Sequence, residues 1–414
     1  MTFDPTPAQA YVWVWLPGAT EPVVAGRLVA DQGIVDFHYG TRYLGRADAV
    51  PLYLPELPLE RGRIRPVDGL AIAGCISDAG PDAWGQRVIL HRLAGGIDTT
   101  ELSVLTSLLE SGTDRVGALD FQLSPDVYAP RLAGGSLDEM VQAAERLEAG
   151  EAFSPALDAV LLGGSSLGGA RPKVPLEDGD RKLIAKFSSR GDPYPVVKAE
   201  AVAMNLARRV GLDTALTEII ECLGRDVLLV ERFDRTPTRG ERRMVVSALT
   251  ILELDEMAAR HATYHELAEV IAERFTEPKK TLRELFSRIV FNICVGNTDD
   301  HARNHAAFWD GQQLTLTPAY DICPQPRSGG EVAQAMAIGR NGFRMSQFAG
   351  CVAAADVYGL TPGEARDIID RQLEIIATEW DDAADVARLT QADRQQMWAR
   401  QILNPYAREG YPTT

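Results

Sequence analysis

The sequence predicts an α+β fold in which a β-rich N-terminal lobe precedes a mainly helical C-terminal lobe. Residues 11–123 contain short alternating or apolar runs separated by Gly and Pro, which is the pattern of strands. Beyond about residue 244 the apolar residues recur every three or four positions, which indicates helices. Both patterns occur between these parts, so we divide the chain into residues 1–125, 126–245 and 246–414.

The composition fits a folded protein of the cytoplasm. A chain of 414 residues with 45% hydrophobic residues is long enough for two or three domains of roughly 150 residues each. The formal net charge of −16 argues against a broad DNA-binding surface, and the five cysteines include no C-x-x-C pair that would indicate a zinc site. There is neither a leader with basic and apolar parts nor an apolar run of about eighteen residues, so we expect no membrane contact.

The first strands and helices are predicted in order along the chain. Alternating or apolar runs predict strands over Tyr11–Leu16, Val23–Val29 and Val35–Tyr39, and helical spacing follows over Trp84–Leu93. An amphipathic helix is predicted over Leu132–Leu162, with an interruption at Gly150.

The C-terminal part contains a strong helix signal and a predicted hairpin. Apolar residues advance by three or four from Leu282 onward, behind Thr281 and Glu284 as a predicted capping box, and Gly296 is the predicted stop. The alternation over Ala306–Ala319 predicts a short hairpin.

A glycine-rich stretch precedes a predicted strand of the middle region. It reads G-G-S-S-L-G-G-A-R-P-K over residues 163–173. Such glycines let backbone amides approach phosphate oxygens, and Arg171 or Lys173 would add positive charge. It is not a Walker A loop, because Ala170 and Arg171 stand where that motif needs Lys and Ser or Thr. A plain surface turn remains the alternative, since Gly and Ser clusters usually mark loops.

A strand lysine and a helix glutamate follow this stretch. The strand predicted over Arg181–Phe187 carries Lys186 near its end, and the helix predicted over Val197–Val210 carries Glu200 within its apolar face. An inward carboxylate needs a partner, and Lys186 is the candidate, as in the Lys–Glu pair of protein kinases. Glu200 could instead lie in the first helical turn, where the helix dipole favours an acid.

The next apolar run, D-V-L-L-V-E-R-F-D-R, occupies residues 226–235 and ends in Glu231, Arg232 and Phe233. In a kinase, the small lobe would pass at this point into a hinge whose backbone groups bind adenine. A buried edge strand with a charged exit would give the same pattern.

The most informative segment of the chain begins at Gly296. It reads G-N-T-D-D-H-A-R-N-H, and Y-D follows at residues 320 and 321. Asp299 and Asn304 have the spacing of the proton-accepting Asp and the metal-binding Asn of a kinase catalytic loop, and Asp321 would be the later metal-binding Asp. The H-R-D and D-F-G motifs of standard kinases are absent, and Asp and Asn are also common in solvated loops.

The order of these signals is more specific than any one of them, because together they follow the sequence order of a protein kinase. The motifs G-G-S-S-L-G-G-A-R-P-K, I-A-K-F, V-E-R-F-D-R, G-N-T-D-D-H-A-R-N and P-A-Y-D-I resemble the HipA family of bacterial toxin kinases. The N-terminal motif I-S-D-A-G-P-D-A-W-G also resembles that family, so the likeness covers about residues 10–390.

The resemblance implies a two-lobed protein-kinase-like fold and a serine/threonine protein kinase that uses ATP and Mg²⁺. It also implies a type II toxin–antitoxin system, in which a small helix-turn-helix antitoxin of the HipB type holds the toxin and brings it to operator DNA only indirectly. Family members phosphorylate aminoacyl-tRNA synthetases, which makes these proteins candidate substrates. A kinase-like enzyme acting on a small molecule and a nucleotide-binding regulatory pseudokinase are the alternatives.

The resemblance also assigns roles to individual residues. Asp299 falls on the family's catalytic Asp, and Asn304 and Asp321 fall on its metal ligands. Ser166 falls on the autophosphorylated serine of the family, and Ser165 is the runner-up. The implied ATP-binding residues are Gly168, Gly169, Ala170, Arg171, Pro172, Lys173, Lys186, Glu231, Arg232, Phe233, His301, Ala302, Arg303, Asn304, Tyr320 and Asp321.

Other candidate sites have weaker support. His261 and His265 lie four positions apart, but the H-E-x-x-H order and a third ligand are missing, so a metal site there is not expected. A hydrolase is not expected either, because there is no G-x-S-x-G and Cys294 lies within an apolar helical run.

Overall fold

The computed structural model of the protein describes residues 7–94, 102–131, 135–148, 165, 171, 173–189, 191–192, 194–238, 240–327 and 329–412. These residues form three antiparallel sheets together with helices.

The N-terminal sheet has the strand order β3-β2-β1-β4. Its strands are β1 (Gln9–Val14), β2 (Val23–Asp31), β3 (Ile34–Tyr39) and β4 (Leu119–Gln122). The helices of this part are α1 (Thr41–Leu44), α2 (Gly74–Ser77), α3 (Ala83–Ala94) and α4 (Val104–Glu110). The three predicted strands and the helix predicted over Trp84–Leu93 are confirmed.

The middle sheet has the order β5-β6-β8-β7. The elements of this part are α5 (Leu137–Glu148), β5 (Lys173–Asp178), β6 (Arg181–Phe187), α6 (Val196–Arg209), β7 (Thr217–Cys222) and β8 (Arg225–Glu231). The strand over Arg181–Phe187 is confirmed, and the helix predicted over Val197–Val210 is confirmed with ends one residue earlier.

The helix predicted over Leu132–Leu162 begins later than expected. It starts at Leu137, because Ser136 and Glu139 form a capping box in which each side chain binds the backbone N–H of the other residue. The predicted continuation after Glu148 lies outside the described residues.

The C-terminal part contains the sheet β11-β10-β9 and most of the long helices. Its elements are β9 (Met244–Ser247), α7 (Ala248–Ile251), α8 (Tyr264–Arg274), α9 (Pro278–Val295), β10 (Ala306–Trp309), β11 (Leu314–Leu316), α10 (Phe348–Ala353), α11 (Pro362–Val386) and α12 (Gln391–Met397). The hairpin predicted within Ala306–Ala319 is confirmed by the pairing of β10 with β11.

The capping box predicted at Thr281 and Glu284 is wrong. The N-cap of helix α9 is Glu277, four residues before Thr281, and Pro278 lies in the first turn, where the missing N–H of proline costs nothing. Thr281 is therefore a buried residue inside the helix, and Glu284 accepts a hydrogen bond from Arg288 at 2.9 Å. The predicted stop at Gly296 is confirmed, because this residue caps the helix with a φ of 69° in the left-handed region.

Two hydrophobic cores hold these elements together. The larger core joins buried residues of the N-terminal sheet, helix α6 and the C-terminal helices. The smaller core lies between the middle sheet and helices α3 and α5, and it includes Trp84, Val141 and Phe187. None of the described helices has the length and apolarity needed to cross a membrane. The division of the chain near residues 125 and 245 stays a prediction.

Candidate active site

Lys186 forms ion pairs with two carboxylates from other parts of the chain. The Nζ atom of Lys186 lies 2.5 Å from Oε1 of Glu200 and 2.6 Å from Oδ1 of Asp321. The proposed pairing of Lys186 with Glu200 is therefore present. Glu200 lies beyond the first turn of α6 and is buried, so the alternative of a helix-dipole acid is wrong.

The alternation of β6 determines where Lys186 points. Leu183, Ala185 and Phe187 face the smaller core, so Lys186 projects from the opposite face of the sheet. Helix α6 packs on that opposite face and brings Glu200 to the lysine.

A second lysine lies beside the first. Lys173 on β5 is the direct cross-strand partner of Lys186 on β6, so both side chains project from the same face. Like charges directly opposite each other destabilise a sheet unless anions compensate them. Asp82, at 3.4 Å from the Nζ atom of Lys173, and Asp321 supply part of that compensation. Burial lowers the pKa of Lys173, while these two carboxylates oppose the shift.

Asp321 is held in an ionised state and in an uncommon backbone conformation. The ammonium of Lys186 lowers the pKa of Asp321 to about 2. Its φ of 58° lies in the left-handed region, which Asp tolerates better than most residues. Burial raises the pKa of Glu200, and Lys186 opposes this shift.

Asp299 lies exposed in the loop after Gly296. The side-chain amide of Asn304 donates to the Asp299 carbonyl at 3.1 Å, which closes the loop. Partial shielding from water raises the pKa of Asp299, and the carboxylates of Asp321 and Asp300 raise it further, while His301 lowers it. Asp299 and Asp321 therefore lie close enough to influence each other.

A buried network supports this loop, and the sequence analysis did not predict it. The carboxylate of Asp300 accepts hydrogen bonds from Tyr264 and, at 2.7 Å, from the amide of Asn292. His305 lies 2.9 Å from the same carboxylate. The run D-D-H signals two adjacent acids, but only the helix packing shows that Asp300 points inward and Asp299 outward.

The predicted hinge residues follow β8. The backbone N–H of Arg232 donates to the Lys182 carbonyl at 2.9 Å. The buried guanidinium of Arg232 pairs with Asp114 and Asp234. The ring of Phe233 lies 5.5 Å from that of Tyr320, which is adjacent in sequence to Asp321.

With this geometry established, comparisons with known proteins identify the family. The model of the HipA-like C-terminal domain matches residues 165–380, which is more than half of the chain. The chain belongs to the HipA kinase family.

Relatives and a solved structure agree with this assignment. The chain is 28% identical over 340 residues to the protein named Putative kinase Y4mE of Sinorhizobium fredii, covering 75% of this chain and 76% of the relative. It is 24% identical over 157 residues to the serine/threonine-protein kinase toxin HipA of Shewanella oneidensis, covering 34% of this chain and 36% of that one.

The fold matches as well. A chain in the solved complex of Shewanella oneidensis MR-1 HipA, HipB and its operator DNA superposes with a TM-score of 0.68 at 19% identity, covering 95% of this chain and 99% of that one. The predicted α+β, two-lobed kinase-like fold is confirmed.

Not every HipA-like position can be located. Gly168, Gly169, Ala170, Pro172 and the predicted phosphosite Ser166 lie outside the described residues. The runner-up Ser165 is buried, and its Oγ accepts a hydrogen bond from the N–H of Gly112 at 3.1 Å. Arg171 pairs with Asp192.

The loop that carries Asp299 also contacts the N-terminal part. Ala302 is buried in a short 3₁₀ turn, and Arg303 pairs with Glu256 and lies 3.7 Å from Asp78. Asp78 and Asp82, from the motif I-S-D-A-G-P-D, thus contact Arg303 and Lys173 respectively. The motif was noted in the sequence, but these two roles were not predicted.

Proposed function

We propose that this chain is a serine/threonine protein kinase that transfers the γ-phosphate of ATP to a protein and acts in the cytoplasm as the toxin of a type II toxin–antitoxin system. The observation that carries the proposal is the position of Lys186 between Glu200 and Asp321, with Lys173 beside it. Two lysines that share one face of a sheet, opposite an ionised Asp, suit the phosphates of a nucleotide better than they suit a structural ion pair.

Each side chain of the site would have a separate role in the reaction. Lys186 and Lys173 would orient the phosphates, together with the backbone of residues 168–173. Asp299 would position the acceptor hydroxyl in line with the γ-phosphorus. As the serine Oγ bonds to phosphorus, the bond from phosphorus to the bridging oxygen of ADP breaks, and the serine proton passes to Asp299. The raised pKa of Asp299 makes it a better proton acceptor than an ordinary carboxylate.

The donor set fits Mg²⁺. Asn304 and Asp321 offer an amide and a carboxylate oxygen, and Mg²⁺ in phosphoryl-transfer sites is usually held by one or two carboxylates plus the substrate phosphates. Mg²⁺ would neutralise the phosphate charge.

The remaining nucleotide contacts are proposed from the family positions. Glu231, Arg232 and Phe233 would provide the adenine hinge through their backbone, since the Arg232 side chain is engaged elsewhere. In the described residues nothing accepts a hydrogen bond from the Phe233 amide, which leaves that donor for a base. His301, Ala302, Arg303 and Tyr320 would complete the site.

The biological setting is proposed from the relatives. A HipB-like antitoxin would bind this chain, and operator DNA would be reached only through that complex. Ser166, with Ser165 as runner-up, would be the autophosphorylated residue. An aminoacyl-tRNA synthetase is the first substrate to test.

The experiment is transfer of labelled phosphate from ATP to the protein itself and to a bacterial lysate. Asp299→Ala and Asp321→Ala should abolish labelling while thermal unfolding stays cooperative, and the exposed Asp381→Asn serves as the matched control. Retained labelling in either alanine variant would contradict the assignment. Transfer to a small molecule alone, or nucleotide binding with no transfer, would point to a small-molecule kinase or a pseudokinase instead.

A further inference from the structure

A cavity with several polar side chains in its walls lies next to the end of helix α9 and has no role in the chemistry described above. Its volume is about 580 Å³, and its walls include Arg327, Gly330, Arg400, Asn404, Tyr406 and Glu409. This volume falls within the range of about 300–1,000 Å³ that is common for ligand sites.

Both walls of the cavity are anchored to the end of helix α9, immediately before the catalytic loop. The N–H of Gln325 donates to the carbonyl of Gly296 at 2.9 Å, and the N–H of Leu403 donates to the carbonyl of Cys294 at 2.7 Å. A Cβ atom on Gly296 would lie only 2.7 Å from the carbonyl oxygen of Gln401, so the second wall packs tightly on this turn. The cavity is therefore fixed relative to Asp299.

Arg327 has no anionic partner among the residues that the structure describes. Its Nε and Nη1 atoms are buried and have no hydrogen-bond partner in the described residues, and its Nη2 atom donates to the Gly330 carbonyl. Burial lowers the pKa of this guanidinium, and no carboxylate of the described residues pairs with it, although acidic residues outnumber basic ones by 58 to 42 in the chain. A buried donor left unpaired is unfavourable, and more so if it is charged, which indicates an acceptor from outside the chain.

The chemistry of that acceptor follows from the guanidinium. Its planar set of N–H groups matches the oxygens of a carboxylate or a phosphate. Arg400 is exposed on the opposite wall and adds a second positive charge. Glu409 is also part of the cavity wall, and its carboxylate accepts a hydrogen bond from Gln347 at 3.3 Å.

We infer that this cavity binds an anionic side chain, a carboxylate or a phosphate, of the protein substrate close to the serine that is phosphorylated. The inference rests on the proposed kinase function. Asp299 is three residues beyond Gly296, and Arg327 is two residues beyond Gln325. At ~3.6 Å per residue along both segments, and with the span of the Gln325–Gly296 hydrogen bond added, the Cα atoms of Asp299 and Arg327 lie at most about 24 Å apart. An extended substrate at ~3.3 Å per residue places the anion within about seven residues of the acceptor.

The test uses the full chain with ATP, Mg²⁺ and a bacterial lysate, and the labelled sites are mapped by mass spectrometry. Arg327→Gln and Arg400→Gln are compared with the wild type and with Arg388→Gln, which removes an exposed guanidinium elsewhere. We expect Asp, Glu or a phosphoresidue within seven residues of the wild-type sites. Labelling of these sites should fall at least tenfold in Arg327→Gln, with an unchanged KM for ATP and an unchanged thermal midpoint.

Synthetic peptides of the strongest site separate the two anion sources. Peptides with Glu, phosphoserine or Gln at the acidic position should differ at least tenfold in kcat/KM with the wild type and should be equivalent with Arg327→Gln. Equal labelling by Arg327→Gln would overturn the inference and leave the kinase function intact. A lower thermal midpoint or weaker ATP binding would show a structural role and also overturn it. If the wild type labels no protein, the proposed function fails, and this inference fails with it.

Discussion

Lys186 connects a residue nearby in sequence, Glu200, with one far away in sequence, Asp321. The strand position of Lys186 and the inward position of Glu200 could be predicted, because both follow from the periodicity of a strand and a helix. The third partner, Asp321, could not be predicted as a contact of Lys186. Its position depends on a left-handed turn after Tyr320 and on 135 residues of intervening chain, neither of which has a periodic signal.

Removal of the Glu200 carboxylate should lower kcat/KM for ATP more than it lowers the stability of the fold. In Glu200→Gln, Lys186 keeps only Asp321 and is drawn toward it, which misplaces the ammonium and occupies the carboxylate proposed for Mg²⁺. We expect kcat/KM for ATP to fall by about 10–100-fold, as for other misplacements of about 1 Å, and the Mg²⁺ requirement to rise. Steady-state kinetics should show neither change for Glu379→Gln, which alters a surface partner of Arg209.

The acid limb of the activity profile should report the ionisation of Asp299. A carboxylate must be ionised to accept the serine proton, so activity falls as the pH drops through its pKa. Shielding from water and the neighbouring carboxylates of Asp321 and Asp300 raise that pKa, while the imidazole of His301 lowers it. In His301→Gln this lowering is lost, so the acid limb of kcat/KM should move to higher pH. A limb that stays in place or moves to lower pH would exclude Asp299 as the titrating group.

At the scale of elements, a buried charge network joins the strand exit after β8 to the N-terminal part. Asp234 accepts hydrogen bonds from Arg232 at 2.8 Å, from Arg235 at 2.7 Å and from the N–H of Gly117 at 2.7 Å. Asp114 pairs with the same two arginines. The predicted adenine hinge is therefore held in place by side chains from outside the middle sheet.

Asp234→Asn should destabilise the protein and change how its stability depends on pH. Burial acts to raise the pKa of Asp234, but the two arginines lower it to about 2. Its stabilising effect is therefore present above the ordinary carboxyl pKa and is lost as the pH falls toward 2. At pH 7 we expect a loss of about 3 kcal/mol, the lower end for a broken buried pair, because Asp114 remains. Denaturant unfolding from pH 7 to pH 2 should show a smaller acid loss in the variant than in the wild type.

The helices show where local signals suffice and where they mislead. Gly296 was correctly predicted as a stop, because a left-handed C-cap needs a glycine at that one position. Thr281 and Glu284 also match the pattern of a capping box. Pro278 allows an earlier start of the helix, however, and the packing of α9 then buries Thr281. Local capping rules propose several starts for a helix, and the tertiary core selects one of them.

The N-terminal sheet and the C-terminal helices share one hydrophobic core. Asp78 strengthens this connection, because it accepts hydrogen bonds from the backbone and hydroxyl of Ser247, both at 2.7 Å, and from Thr250 at 2.7 Å. The sequence predicted a β-rich lobe of its own for this part. Composition and periodicity indicate the helices and strands within a lobe. They do not show which apolar faces are covered by another part of the chain.

A chain that lacks residues 1–125 should therefore not fold cooperatively. Loss of residues 1–125 would expose the apolar surface that the N-terminal sheet covers, at a cost of about 25 cal/mol per Å². It would also leave Arg232 without Asp114 and Ser247 without Asp78. We expect residues 126–414 to bind a hydrophobic dye and to show no sharp thermal transition, whereas the full chain shows one. Circular dichroism during heating gives the comparison. A sharp transition in the shortened chain, together with ATP binding equal to that of the full chain, would show that the catalytic part is independent and that the shared core contributes little to its stability.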